Sequence, residues 1–141
     1  MKNIFIDTNV VIDFLANREP FSLAAAMLFD LGVTGKTRLY ISAVSYNNIY
    51  YILRRSLSHP AAIRLLEELA EMTEIADVTA SIIKLSLKSD FKDYEDAIQY
   101  YCALSLPDID CIVTPNTKDF KKSTLAVLTP TEALASFQSF L

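Results

Sequence analysis

The sequence predicts a three-layer α/β domain, a central parallel sheet with helices on both faces. Three observations carry this. Short apolar runs alternate with longer amphipathic segments along the chain, the pattern of strand–helix–strand units. Runs such as "CIVT" (111–114) are apolar throughout, as suits strands buried on both faces. The 141 residues are 52% hydrophobic with two glycines and five prolines, enough for a core without disulfides or structural metals, and they contain no linker, low-complexity segment or internal repeat. One domain over residues 1–141 is expected.

The elements follow in order. Ile4 to Ile6 form a first strand and Thr8 to Leu15 a first helix, with Asp7 between them. Pro20, suited to a first helical turn, opens a second helix running to about Leu31. "RLYIS" (38–42) is the second strand. "SYNNIYYILRR" (45–55) is a helix with Ser45 as its cap and arginines in its last turn, where cations suit the helix dipole. Pro60 begins the next helix, "PAAIRLLEELAEM", in which Ile63, Leu66 and Leu69 separate from Glu67, Glu68 and Glu71 at helical spacing. "TEIADV" reads as a strand, "TASIIKLSLK" as a helix, and "DYEDAIQYYCALSL" as a helix ending before Pro107. "CIVT" and "LAVLT" (125–129) are the last strands. Thr129, Pro130 and Glu132 spell a capping box with proline at the first position, so a final helix begins there.

Composition narrows the function. No apolar run approaches the roughly 18 residues of a membrane span. The start, "MKNIFIDTNVV", lacks a charged n-region, a long apolar stretch and a small-residue cleavage site, so no leader is expected. Cys102 and Cys111 are too few and too isolated for a zinc site or a disulfide scaffold, which suggests buried free thiols and a cytoplasmic location. A net charge of −4 and a pI near 4.9 argue against nucleic-acid binding by overall charge. Local basic strips remain: Arg54, Arg55 and Arg64 around one helix junction, and Lys118, Lys121 and Lys122 after a later strand. Such charges ordinarily form a solvated face. The one histidine, His59, reads as a surface or capping residue beside Pro60.

In parallel α/β sheets the ligand lies beyond the carboxyl ends of the strands. Asp7 and Asn9 sit at one such end, and Asn116 and Asp119, in "TPNTKDF", follow another. Asp93 and Asp96, three apart in "DYED", share one helix face. Each alone is explained by capping or turn formation. Together they suggest a cluster, and two carboxylates about 4 Å apart repel by about 4 kcal/mol at an effective dielectric of 20. A cation relieves that repulsion, and all-oxygen donors suit Mg²⁺ or Mn²⁺. A metal so held binds a phosphodiester oxygen and lowers the pKa of a bound water, so hydrolysis needs no histidine or cysteine nucleophile.

The segments "FIDTNVVID", "ISAVSYNNIYYIL", "DYEDAIQYYCAL" and "CIVTPNTKDF", in this order and spacing, resemble the PIN-domain family, metal-dependent ribonucleases that include the toxins of VapBC toxin–antitoxin pairs. The resemblance covers nearly the whole chain. It implies a Rossmann-like fold and a shared acidic metal site in which Asp7 is the first metal-binding aspartate, Asp96 the third acidic position, and Asp119 with Asn116 the fourth region. Asn9 would orient the first aspartate or a water, and Asp93 would assist from its helix face. Two departures stand out. Asn48 occupies the place of the usual glutamate, and Pro115 that of a common arginine.

The function expected is a Mg²⁺- or Mn²⁺-dependent endoribonuclease, the toxin of such a pair, leaving a 5′-phosphate and a 3′-hydroxyl as the resemblance implies. Arg54, Arg55 and Lys118 are the candidate RNA-binding residues, with Tyr46, Tyr50 and Tyr51 nearby to stack bases or to pack the core. RNA, an antitoxin and a second copy of the chain are the implied partners. The competing reading is a PIN-like module that has lost catalysis and holds RNA or a protein, which Asn48 and Pro115 favour. A haloacid-dehalogenase-type phosphatase needs an aspartate where Asn9 stands.

Overall fold

The computed structural model describes residues 1–137. Five strands build the sheet: β1 (Lys2–Ile6), β2 (Thr37–Ser42), β3 (Glu74–Ala76), β4 (Cys111–Val113) and β5 (Ala126–Leu128). All neighbours are parallel, in the order β3-β2-β1-β4-β5. The helices are α1 (Thr8–Leu15), α2 (Ser22–Val33), α3 (Ala43–Leu53), α4 (His59–Met72), α5 (Ala80–Leu87), α6 (Tyr94–Ser105) and α7 (Pro130–Ser136), with a 3₁₀ turn at Thr117–Phe120.

Strand alternation divides the core. Ile4 and Ile6 point to one face, where they meet Val10, Leu28, Phe29 and Ile49 from α1, α2 and α3. Phe5 points to the other, against Ile112, Ile98, Cys102 and Phe120. Both faces are therefore apolar, which requires the helical layers the sequence predicts.

From β1 the chain steps outward through β2 to β3, then returns to place β4 and β5 on the opposite side. The winding reverses between β1 and β4. At such a switch point the connections leave for opposite faces and open a crevice at the carboxyl ends of the strands. Asp7 follows β1 and Thr114 follows β4, and the pairing of Ile6 with Val113 sets them side by side. The Asp7 N–H donates to the Val113 carbonyl at 3.0 Å.

Two helix starts differ from expectation. Pro20 lies in a turn closed by the Phe21 N–H on the Arg18 carbonyl, and α2 begins at Ser22, whose hydroxyl bonds Glu19. Ser42, not Ser45, caps α3, because its side chain accepts from the Ser45 N–H while Ser45 itself is buried inside the first turn. The arginines thus fall just past the helix end. His59 is exposed, as read, and its Nδ1 lies 2.8 Å from the Tyr50 hydroxyl. Tyr46 and Tyr50 pack on the core, whereas Tyr51 is exposed. The capping box of α7 forms as spelled. Both cysteines are buried free thiols, and burial pushes Cys102 to about 12 and Cys111 to about 11, leaving them inert. Among the described residues no helix is long and apolar enough to cross a membrane.

Candidate metal centre

Asp7 occupies the N-cap position of α1 with extended backbone, yet its side chain makes no capping bond. Its Oδ2 instead accepts from the Thr114 hydroxyl at 2.9 Å, across the β1–β4 crevice. A carboxylate that only capped would bond the N–H of the second or third residue of the helix. This one is buried, 4% exposed, and aimed at the neighbouring strand.

Beside it lies a cleft of about 270 Å³ lined by Asp7, Asn9, Asn48, Asp93, Asp96 and Asp119, with Glu95 among them. Four segments converge here: the β1–α1 junction, α3, the start of α6, and the 3₁₀ turn after β4. Asp93 caps α6 by accepting from the Asp96 N–H at 3.0 Å, so the two carboxylates of "DYED" have different duties: one holds the helix start and the other is left free.

The charges burden one another. Burial raises the Asp7 carboxyl to about 6, against the easing bonds from Thr114, the Thr8 N–H and Asn9, with Glu95 adding repulsion. Burial raises Asp96 to about 7, and Asp93, Asp7, Asp119 and Glu95 all push in the same direction.

Below the cleft, side chains from four elements form a buried polar network, in which Gln99 Oε1 alone finds no hydrogen-bond partner among the described residues. Gln99 Nε2 donates to Ser45 Oγ at 2.9 Å and to Thr8 Oγ1 and Ser42 Oγ at 3.3 Å. Thr8 and Ser45 hydroxyls meet at 2.6 Å, and those of Ser42 and Ser45 at 3.0 Å. Gln99 is fully buried, one turn beyond Asp96, so this network fixes the height of α6 over the strand ends.

Of the residues read from sequence, Asp7, Asn9, Asn48, Asp93, Asp96 and Asp119 come together. Asn116 does not line the cleft; it faces an adjoining hollow with Pro115 and Arg18. Lys118 lies in a larger groove beside the cleft, and Arg54 and Arg55 are exposed beyond the end of α3. Sequence reasoning missed Glu95, Thr114, Gln99 and the two buried serines. Gln99, a polar residue among "AIQYYC", was a signal that the buried face of α6 carries a polar partner.

Every cleft donor is an oxygen, the set that suits a small hard divalent cation. Among the described residues no three His, Cys, Asp or Glu side chains already converge on one ion position. The donors surround an open cleft.

Fold and cleft define a class: a parallel α/β protein with a carboxylate site at the switch point of its sheet. Residues 3–118 match the PIN domain family, and the chain belongs to it. PIN domains are nucleases that hydrolyse phosphodiester bonds. The chain is 25% identical over 136 residues to Ribonuclease VapC1 of Aquifex aeolicus, covering 93% of this chain and 92% of that one. It is similar in fold to a DNA-bound VapBC of Salmonella typhimurium, at TM-score 0.67 and 20% identity over 91% of this chain and 97% of that one. It is also similar to VapC20 of Mycobacterium tuberculosis, a sarcin–ricin loop cleaving toxin, at TM-score 0.60 and 17% identity over 77% and 86% of the two chains.

Proposed function

We propose that the protein is a divalent-metal-dependent endoribonuclease and the toxin of a toxin–antitoxin pair. The observation that carries this is Asp7: a buried carboxylate at a switch point, bonded across the sheet and raised in pKa by burial beside other acids. The kinship with VapC ribonucleases supports RNA as substrate, and the likeness to VapBC complexes supports an antitoxin partner.

Asp7, Asp96 and Asp119 would hold Mg²⁺ or Mn²⁺, with Glu95 supplying the charge that Asn48 does not. When bound, such an ion would offset the mutual repulsion of these acids and would supply Lewis-acid chemistry at a phosphodiester oxygen and a more acidic water. Thr114 holds Asp7 in one rotamer through its hydroxyl. Asp93 fixes the start of α6, and Gln99 sets its height, so the Asp96 carboxyl is presented to the cleft without a competing bond to its own helix. Asn9 eases the charge on Asp7. Asn48, in the cleft lining, has a carbonyl oxygen to orient water or ion but no basicity.

Purified protein is incubated with a mixed RNA pool in Mg²⁺, in Mn²⁺ or in EDTA, beside Asp7→Asn. Metal-dependent cutting absent from the variant is the expected result. No cutting in either metal by folded protein would favour the second reading, a catalytically silent PIN module, which the uncharged Asn48 in the cleft wall supports.

A further inference from the structure

A second depression adjoins the cleft. It has a volume of about 560 Å³ and shares Asp93, Asp96 and Asp119 with the cleft, so the two are continuous. The rest of its lining is largely basic: Lys92 from the loop before α6, and Lys118, Lys121 and Lys122 from the 3₁₀ turn and the residues after it. All four are exposed. The chain carries a net charge of −4, yet four of its thirteen lysines and arginines face this one groove. Lys122 Nζ sits 3.5 Å from Asp90 Oδ2, and both side chains are largely in water, a pair weak enough to exchange for another anion.

We infer that this groove is the track for the RNA strand on one side of the scissile phosphate, its lysines holding successive phosphates. The inference rests on the ribonuclease reading for its substrate. A polynucleotide with one phosphate at the carboxylates has to continue over the surface next to them, and this groove is a continuous path that offers four cations. Lysine is a point charge that accepts a phosphate in many orientations, so the track reads charge and not base sequence. Phe91 lines the groove with its ring 5.3 Å from that of Tyr100 and 6.2 Å from that of Phe120, a fixed aromatic surface of the kind on which bases of any sequence stack.

The test is the salt dependence of binding, measured by fluorescence anisotropy in EDTA with two labelled single-stranded RNAs of different sequence. Lys121→Ala with Lys122→Ala is compared with wild type and with the double arginine replacement. The alanine pair is expected to weaken binding to both RNAs and to flatten the plot of log K against log salt by about 1.4, about 0.7 for each lysine–phosphate pair removed from a single strand. The arginine pair keeps the wild-type slope. An unchanged slope in the alanine pair overturns the inference, as does a weakening confined to one RNA. An unchanged RNA slope with loss of binding to a poly-glutamate peptide assigns the groove to an acidic protein segment and also overturns it. Cleavage in Mg²⁺ is read alongside: the slope change without cutting by wild type keeps the track and sinks the nuclease, whereas cutting with an unchanged slope does the reverse.

Discussion

Asp7 and Glu95 show how differently two site residues can announce themselves. Asp7 ends an apolar strand, so its position at the carboxyl end of the sheet follows from the pattern alone. Glu95 sits in a helical turn with three acidic neighbours in sequence or space, and nothing in its spacing distinguishes it from a solvated first-turn acid. Only the fold, which ties α6 to α1 and α3 through Gln99, brings it into the lining of the cleft that Asn48 shares. If Glu95 replaces the missing charge, Mn²⁺ affinity read by titration calorimetry should fall about tenfold in Glu95→Gln, the lower end of what site-supporting groups contribute. It should rise in Asn48→Glu. Equal affinity in Glu95→Gln and wild type would remove Glu95 from the donor set.

At the scale of elements, the strands and helices were legible because each carries its own period, and the capping box at Thr129 and Glu132 fixed the start of α7 outright. What the sequence concealed were choices between adjacent polar residues. Ser42 and Ser45 are both good caps and both join the buried network with Gln99, but only Ser42 accepts from a first-turn N–H while Ser45 meets Thr8. That network joins α1, β2, α3 and α6 from positions up to 91 residues apart, a separation no local pattern reveals. Gln99→Ala removes bonds to three buried hydroxyls and leaves them short of partners. It should cost about 2–3 kcal/mol in urea unfolding, as for other buried polar groups left unsatisfied. It should also weaken metal binding, since α6 carries Asp96. Thr129→Ala is the comparison, losing about 1 kcal/mol for the cap with metal affinity unchanged. If Gln99→Ala lost stability but kept wild-type metal affinity, the network would be a fastening of the core and not a support for the site.

For the molecule as a whole, the acidic cleft should make metal-free stability fall as pH rises. Asp7 and Asp96 titrate near 6 and 7 in the folded protein but from a value of 3.8 in a free chain. Between those limits the folded state holds protons that the unfolded chain has released. Stability therefore declines with increasing pH across that window and levels off above it. Buried Asp7 alone, moved from 3.8 to about 6, accounts for about 3 kcal/mol at one unit per 1.36 kcal/mol. Asn at that position keeps an oxygen for the Thr114 hydroxyl and carries no charge. In EDTA, Asp7→Asn should thus match wild type near pH 4 and exceed it by up to about 3 kcal/mol near pH 8. Adding Mn²⁺ to wild type near pH 8 should recover much of the difference, because an ion that binds only the folded state stabilises it by about 2.7 kcal/mol at a hundred times its dissociation constant. The variant, with a donor removed, should gain much less. Denaturant unfolding at several pH values, with EDTA and with Mn²⁺, reads all of these at once. A wild-type stability flat across the window would mean that Asp7 is not burdened as its burial implies, and a Mn²⁺ effect of equal size in both proteins would place the ion elsewhere.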